Sequence, residues 1–316
     1  MVKCILCTNK TIFLDEYKFN VKTDVKYFGN LKIFLCKRCS FGFCSPMPKK
    51  FKINSFYKNI YRSPGRPHEI SENYNDELLT SRNLNYVQYL STFINFDRIN
   101  NILDFGSGTG DIAYILKKKF NHLNIFSFEK DRYAIKILKS RSYKIIKNIN
   151  NTKYTFDLII ACHVLEHLDN LKIINLFKKI SHKKTFLFFE TPNNIFLNKF
   201  HLRPYDSPHL LFFSKKSFKI IEKKFKLKLI DINFASHSME QNFLYMEVFK
   251  KKFGNWKEKH INITNKLKKL IKKIVPKKFI YVKDQIFKNK NILLDNFILG
   301  KEDSWCIRGL YKVNKL

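Results

Sequence analysis

A glycine-rich turn near the first third of the chain is the most promising place for chemistry. It reads DFGSGTG over 104–110, after a predicted apolar strand at 102–105 and before a predicted helix at 111–120. Glycine lets the backbone approach a ligand closely because no Cβ atom intervenes. We therefore predict ligand contacts from Gly106, Ser107, Gly108 and Gly110. Nicotinamide-binding domains share such a turn, so the glycines alone do not identify the ligand.

Two acidic residues narrow the choice of ligand. Asp104 precedes the first glycine, where a carboxylate can position a cationic group such as the methionine portion of a sulfonium cofactor. Glu129 ends the next predicted strand, 124–128, one strand–helix–strand unit after Asp104. A carboxylate at that strand end can accept hydrogen bonds from both ribose hydroxyls of an adenosine. The pair favours an adenosine-containing sulfonium cofactor.

Further polar residues follow the next predicted strands. Asn148 comes after the strand 143–147 and is a candidate for the adenine edge, and Cys162 comes directly after the strand 156–161. A fifth strand, 185–189, ends at Glu190. In a parallel sheet, ligands lie at the carboxyl ends of the strands, so these residues are expected to share one edge with the glycine turn.

Three histidines are candidates for a general base. Transfer to an oxygen or carbon acceptor requires removal of a proton, and histidine does this near neutral pH. His163 and His167 follow the strand 156–161, and His209 lies in the stretch PHLLFFS. Each of them could instead be a hydrogen-bonded structural histidine, so the identity of the base stays open.

The N-terminal segment carries paired cysteines at zinc-ligand spacing. Cys4 and Cys7 form one CxxC motif, Cys36 and Cys39 form another, and the insert at about 12–34 has the alternation of short strands. Two such motifs present four thiolates to one metal, which predicts a structural zinc site with no open position for water. Disulfides are the alternative, which an intracellular location disfavours.

The order of the elements predicts the architecture. Strands alternating with helices indicate an α/β fold with a doubly wound sheet. We predict a zinc-ribbon-like module at 1–48, a helical, aromatic connector at 49–98 that covers the cleft, and a cofactor domain at 99–316. For the final strand, 304–313 is preferred over 242–249, which makes 236–300 an insertion.

Four motifs together resemble one enzyme family. DFGSGTG, FDLIIACHVLEHL, FFETPN and PHLLFFS are similar in order and spacing to class I S-adenosylmethionine (SAM)-dependent methyltransferases. The resemblance covers about residues 1–235 and is greatest to a branch with an N-terminal zinc-binding segment, often associated with sugar and cell-surface polysaccharide pathways. It implies a Rossmann-like, seven-stranded sheet with an antiparallel last strand. It also implies cofactor contacts from Asp104, Gly106, Gly108 and Glu129, with His163 nearby and His209 bordering the acceptor cleft.

Composition gives weaker signals about partners. The net charge is +34, but the lysines are scattered and accompany abundant Ile, Asn, Phe and Tyr, as A/T-rich codons would produce. A dedicated nucleic-acid surface is therefore disfavoured, while attraction to phosphate-bearing substrates is expected. The sequence predicts no membrane span and no secretory signal, hence a cytoplasmic protein. An amphipathic, lysine-rich helix at 263–274 either docks on its own domain or contacts an anionic membrane peripherally.

These observations predict methyl transfer from SAM to a small acceptor, either a sugar, a nucleotide sugar or a glycan precursor. The alternative is a basic RNA-binding protein or RNA methyltransferase that uses the zinc ribbon. A quinone-type O-methyltransferase is a weaker alternative, because VLEHL resembles that group and the cysteine motifs do not. The strand 156–161 is not followed by the Asn-Pro-Pro-Tyr type of motif, which disfavours methylation of exocyclic base amines.

Overall fold

The structure is a computed structural model that describes residues 2–19, 21–70, 81–194, 208–235 and 306–314. The whole insertion predicted at 236–300 lies outside the described residues, and with it the helix predicted at 263–274 and the alternative strand at 242–249. No helix in the described ranges is both long and apolar enough to cross a bilayer.

A seven-stranded sheet forms the centre of the fold. Its order is β10-β11-β8-β7-β4-β5-β6. The strands are β4 (Asn101–Phe105), β5 (Asn124–Phe128), β6 (Lys144–Ile145), β7 (Phe156–Cys162), β8 (Ser181–Pro192), β10 (Leu227–Ala235) and β11 (Cys306–Val313). Strand β11 runs antiparallel to both of its neighbours, β8 and β10, while β4 to β8 pair in parallel. The predicted seven-stranded α/β fold with an antiparallel last strand is thus confirmed.

Most helices follow the strands as the sequence predicts. They are α3 (Ser81–Ser91), α4 (Asp111–Lys119), α5 (Arg132–Ser140), α6 (Ile173–Lys179) and α7 (Lys215–Phe225). Local capping fixes two of their starts. The carboxylate of Asp131 accepts hydrogen bonds from two amides at the start of α5, and Ser214 forms a capping box with Ser217 at the start of α7. Such caps satisfy backbone N–H groups that have no partner within the helix.

A second, antiparallel sheet of four strands lies in the N-terminal part of the molecule. Its order is β1 (Ile12–Glu16), β2 (Lys32–Leu35), β3 (Gly42–Ser45) and β9 (Leu211–Phe212), and the short helices α1 (Val25–Phe28) and α2 (Lys50–Asn59) accompany it. The short strands predicted between the two cysteine pairs are present. Strand β9, however, comes from the PHLLFFS stretch, so the N-terminal sheet includes a segment far along the chain.

The apolar core forms on both faces of the large sheet. On one face, α3 and α4 cover alternating residues of the strands, among them Ile102, Leu158 and Leu310. On the other face, Leu103, Ile159 and the N-terminal module belong to one continuous cluster of buried residues. Strand residues alternate between the two faces, as the period of two requires. The N-terminal module thus shares one core with this face of the sheet, to which it is linked by ring contacts from Phe41 through Phe213 and Phe218 to Tyr311.

Candidate active site

The glycine turn connects β4 to α4 at the carboxyl edge of the sheet. Gly106, Gly108 and Gly110 all have positive φ angles, of 74°, 55° and 83°. A Cβ atom on Gly106 would lie 2.3 Å from Cγ2 of Val164, which belongs to the loop after β7. Position 106 therefore requires glycine for its conformation and for the space around it.

Asp104 lies directly beneath this turn as a buried carboxyl. Its side chain is buried, and one oxygen, Oδ2, has no hydrogen-bond partner among the described residues. Burial, together with the nearby charges of Glu129 and Asp111, raises the pKa of Asp104 to about 7. An unpartnered buried carboxyl oxygen is costly, and a cationic ligand group is a suitable partner for it.

Glu129 reaches across from the end of β5 to the same turn. Its Oε2 accepts a hydrogen bond of 2.8 Å from the backbone N–H of Gly108. Its Oε1 accepts from the N–H groups of Lys130 and Asp131, at 2.6 and 2.9 Å. Glu129 and Gly108 therefore meet in space, as their positions at neighbouring strand ends predict.

Three further predicted cofactor residues lie at or near the same edge. Ser107 is half-buried within the turn. Cys162 ends β7 and is also half-buried, opposite Glu190 of β8 in the register. Asn148 is exposed, three residues after β6, and its side chain accepts a hydrogen bond from the N–H of Asn150. Their contact with a cofactor remains a prediction.

His163 lies between two buried carboxylates. Its Nε2 is 3.1 Å from Oε1 of Glu190, and its Nδ1 is 3.2 Å from Oε1 of Glu166. It follows β7 directly, and its φ of 53° is in the left-handed region, which few residues other than glycine adopt. The turn after β7 thus holds the ring of His163 against Glu190.

Glu190 is the centre of a buried network that the sequence did not indicate. Besides His163, its carboxylate accepts hydrogen bonds from the hydroxyl of Tyr86 at 2.7 Å and from Arg308 at 2.7 to 2.9 Å. Arg308 is itself buried within β11. A charged residue inside the apolar segment CIRGLY was the one signal in the sequence, because a buried charge needs a partner.

His167 and His209 form a second cluster beside Glu166. The centroids of the two imidazole rings are 4.8 Å apart. One ring nitrogen of each histidine and one carboxylate oxygen of Glu166 all lie within 4.8 Å of one another. Nδ1 of His167 is 2.8 Å from the hydroxyl of Tyr57 and 3.1 Å from the carbonyl oxygen of Pro208. Tyr57 comes from α2, so this part of the connector reaches the histidine cluster.

His209 is almost completely buried. Burial lowers its pKa well below the ordinary histidine value of 6.5, and the nearby His167 and His68 lower it further. The imidazole of His209 is therefore neutral near pH 7 and able to accept a proton.

The four N-terminal cysteines converge on one point. Sulfur–sulfur distances are 3.7 Å for Cys4 and Cys39, 3.5 Å for Cys7 and Cys36, and 3.4 Å for Cys7 and Cys39. A zinc–sulfur bond of about 2.3 Å implies tetrahedron edges of about 3.8 Å. The thiols thus have the number and spacing of a four-cysteine zinc site, and none of them forms a disulfide.

The cysteine module holds the segment that carries His209. The backbone N–H of His209 donates to the hydroxyl of Tyr17 at 2.8 Å, and the N–H of Cys44 donates to the carbonyl of Leu210 at 2.9 Å. The hydroxyl of Ser214 donates to the carbonyl of Cys39, at 3.3 Å. The position of His209 therefore depends on the folded module.

A family model described as a methyltransferase domain matches residues 74–238, slightly more than half of the chain. The chain belongs to this family. Together with its seven-stranded sheet, the match makes the protein a class I SAM-dependent methyltransferase. No curated protein matches the sequence.

Several solved methyltransferases have a similar fold. The plantazolicin methyltransferase BamL is 14% identical, over 76% of this chain and 87% of that chain, with a TM-score of 0.45. Coclaurine N-methyltransferase is 11% identical over 84% and 81%, with a TM-score of 0.46. A SAM-dependent methyltransferase from Clostridium acetobutylicum ATCC 824 is 10% identical over 74% and 91%, with a TM-score of 0.42. Similarities at this level do not identify an acceptor.

Proposed function

We propose that this methyltransferase binds SAM at the glycine turn and methylates a small, hydroxylated acceptor of the sugar class. The observation that carries the proposal is the close packing of the turn on Val164, because the loop of Val164 also carries Glu166 and His167 of the histidine cluster. SAM supplies a methyl group on a sulfonium centre, which is open to in-line attack. The protein must then orient the acceptor, exclude water and remove a proton.

Each of the proposed cofactor residues would bind a different part of SAM. Asp104 would accept hydrogen bonds from the cationic methionine portion, for which its unpartnered Oδ2 is suited. Glu129 would bind the ribose hydroxyls, exchanging the hydrogen bond that it now accepts from Gly108. Ser107, Gly106, Gly108 and Gly110 would line the turn, while Cys162 and Asn148 would border the adenosine. Mutation of Asp104 or Glu129 to alanine should weaken binding of S-adenosylhomocysteine (SAH) strongly.

His209 is the preferred general base among the three histidines. It is neutral at physiological pH, and Glu166 lies close enough to the His167–His209 pair to stabilise the positive charge formed when a proton is taken up. Both ring nitrogens of His163 already face carboxylates, at 3.2 and 3.1 Å, which orients its ring. We therefore assign His163 a positioning role and His167 a hydrogen-bonding role toward His209 and Tyr57.

The character of the histidine cluster supports a polar acceptor. Side chains with hydrogen-bonding groups, namely Tyr57, His167, His209 and Glu166, meet on this side of the turn. Several hydroxyl groups on one small molecule could use these donors and acceptors. A sugar, nucleotide sugar or glycan precursor has this chemistry, and the resemblance to the sugar-associated branch supports the same class.

The cysteine group is proposed to hold a structural zinc ion. Cys4, Cys7, Cys36 and Cys39 would provide four thiolates and leave no position for a substrate or water. Zinc would then stabilise the sheet of β1, β2, β3 and β9 and, through it, the segment of His209. No step of methyl transfer passes through the metal.

The test combines cofactor binding with acceptor turnover. Calorimetry with SAH should show binding to the wild type, and mass spectrometry should show methyl transfer to a member of a nucleotide-sugar panel. Absence of SAH binding would contradict the cofactor assignment. Methylation of RNA, with no methylation of any sugar, would favour the RNA methyltransferase alternative.

Replacement of the base tests the assignment of His209. His209→Asn should lower kcat by about 10²–10⁴-fold, the usual contribution of a general base, and leave SAH affinity unchanged. Because the pKa of His209 lies below 6.5, wild-type kcat should persist as the pH falls through 6.5 and decline only at lower pH. His182→Asn is the control, since His182 pairs with Asp157 away from the cluster. An unchanged kcat in His209→Asn would exclude His209 as the base.

A further inference from the structure

Arg62 extends over the glycine turn from the segment that follows α2. Its Nη2 lies 3.2 Å from the point where a Cβ atom on Gly108 would be. The guanidinium also lies over the ring of Tyr61, with 5.2 Å between its carbon and the ring centroid. A side chain at position 108 would press on this guanidinium, so glycine at 108 and arginine at 62 are sterically matched.

Among the described residues, Arg62 has no hydrogen-bond or ion-pair partner, and its Nε is buried without an acceptor. Other buried or half-buried arginines are paired: Arg66 with Asp24, Arg141 with Asp111, and Arg308 with Glu190. Burial raises the pKa of Asp131 and the charge of Arg62 lowers it, but the two side chains form neither a hydrogen bond nor an ion-pair contact. A partly desolvated guanidinium without a hydrogen-bonded anion is unfavourable, because it loses water without gaining a hydrogen bond. An anionic ligand group at this point would remove that cost.

The position of Arg62 is fixed by its neighbours in the chain. Four residues later, Arg66 makes a two-pronged ion pair with the buried carboxylate of Asp24, with both N–O distances at 2.8 Å. The hydroxyl of Ser63 donates to the carbonyl of Ile60 and holds the intervening turn. The segment is thereby tied to the N-terminal module, and Arg62 is directed at the glycine turn rather than into solvent.

The carboxylates around the turn have other functions. Glu129 accepts three backbone hydrogen bonds, and Oδ1 of Asp131 caps α5. Oδ2 of Asp131 has no hydrogen-bond partner among the described residues and makes no ion-pair contact with Arg62. Asp104 is suited to a cation and cannot itself recognise an anion. A ligand with both a cationic and an anionic group would thus satisfy Asp104 and Arg62 together, and an amino acid moiety has both groups.

We propose that Arg62 binds the carboxylate of the methionine portion of SAM. This inference rests on the proposed function, which places SAM at the glycine turn. Arginine suits this role because its planar donors can pair with both oxygens of a carboxylate. Arg62 would then select cofactors that carry an intact amino acid, and it would tie the connector to the bound cofactor.

Calorimetry with two ligands tests the assignment. The ligands are SAH and decarboxylated SAH, which retains the amine and the adenosine but lacks the carboxylate. The wild type should bind decarboxylated SAH about 10- to 100-fold more weakly, as loss of a charged hydrogen bond predicts. Arg62→Met should lose the same factor for SAH and nothing for decarboxylated SAH, and Arg62→Lys should recover part of the loss.

The control variant is Arg132→Met, since Arg132 lies exposed over Tyr133 and should leave both affinities unchanged. The inference is overturned if Arg62→Met binds SAH as tightly as the wild type does. It is also overturned if Arg62→Met weakens both ligands equally, which would indicate a structural role. If the wild type binds neither ligand, the proposed cofactor site itself is wrong.

Discussion

The two halves of the proposed active site, one for the cofactor and one for the acceptor, are built in different ways. The cofactor half consists of the turn at 104–110 and Glu129, which lie close in sequence and at adjacent ends of parallel strands. The acceptor half brings together Tyr57, His167 and His209 from three distant parts of the chain. The first half depends mainly on backbone geometry, whereas the second depends on the cysteine module that holds β9. Damage to the two halves should therefore have different consequences.

The largest expected effect comes from removing a zinc ligand, which should damage the acceptor half more than the cofactor half. Cys4→Ser should reduce bound zinc from one ion per chain to almost none and lower the unfolding temperature markedly. Structural zinc contributes about 10–16 kcal/mol to folding in isolated zinc-finger peptides. Metal analysis and thermal unfolding measure these outcomes. In any protein that remains folded, SAH binding should weaken by no more than the about 10- to 100-fold expected for loss of Arg62, whose segment is tied to the module by Arg66 and Asp24. Acceptor methylation should be lost.

Cys44→Ala is the matched control for this experiment. Cys44 is buried in β3, next to the segment of His209, but it is not a member of the four-cysteine group. The control should retain zinc and much of the methylation activity. Equal zinc contents in Cys4→Ser and the wild type would show that the group does not bind the metal.

A smaller effect should distinguish two glycines with the same backbone conformation. Gly106 and Gly65 have φ angles of 74° and 76°, but a Cβ on Gly65 would meet nothing within 4 Å. Both alanine variants carry the conformational strain, and only Gly106→Ala adds the clash with Val164. Gly106→Ala should lose about 1–3 kcal/mol more stability than Gly65→Ala in denaturant unfolding, and it should also bind SAH less tightly.

Val164→Ala combined with Gly106→Ala sharpens this test. Removal of the Val164 methyl groups should restore part of the SAH affinity, because it relieves the contact at 2.3 Å. Equal stability of the two single glycine variants would mean that the loop after β7 yields to the new Cβ atom. The close packing of the glycine turn on the loop after β7 would then not constrain the cofactor half.

The smallest effect concerns pH and again belongs to the cofactor half. The pKa of Asp104 is raised to about 7, and binding of a cationic group requires its ionised form. SAH affinity should therefore rise by up to about tenfold per pH unit below pH 7 and level off above it. Calorimetry from pH 5.5 to 8.5 measures this rise. Asp104→Asn should bind weakly with a flatter profile, and an equally steep profile in that variant would assign the dependence to another group.

The contrast between the halves also explains what could be predicted from the sequence. Strands, turns and their carboxyl ends follow from local patterns, so the fold and the meeting of Glu129 with Gly108 were accessible. Arg62, Tyr57 and Arg308 were missed as site residues because only tertiary packing brings them there. The ion pair of Arg66 with Asp24, which positions Arg62, has no signature in the local sequence.

Some strand boundaries differ from the predicted ones because pairing between strands outweighed the preference of the local sequence. Strand β8 begins at Ser181, four residues before the predicted start, because Ser181 pairs with Phe156. Strand β6 is shorter than predicted and ends the order of described strands, in which β5 is its one partner. The two-residue strand β9 is too short for any periodic pattern, yet it completes the N-terminal sheet.

The place of β11 in the sheet has a consequence for biosynthesis. Among the strands that the structure describes, β10 pairs only with β11, although 70 residues separate the two in the chain. While a ribosome is still producing that interval, β10 cannot join the sheet, and the apolar strand β8 has an open edge. The carboxylate of Glu190 also lacks its ion-pair partner until Arg308 has been synthesised. Nascent chains should thus be vulnerable to aggregation at the edge of β8, and protection should begin only when residues 306–313 emerge.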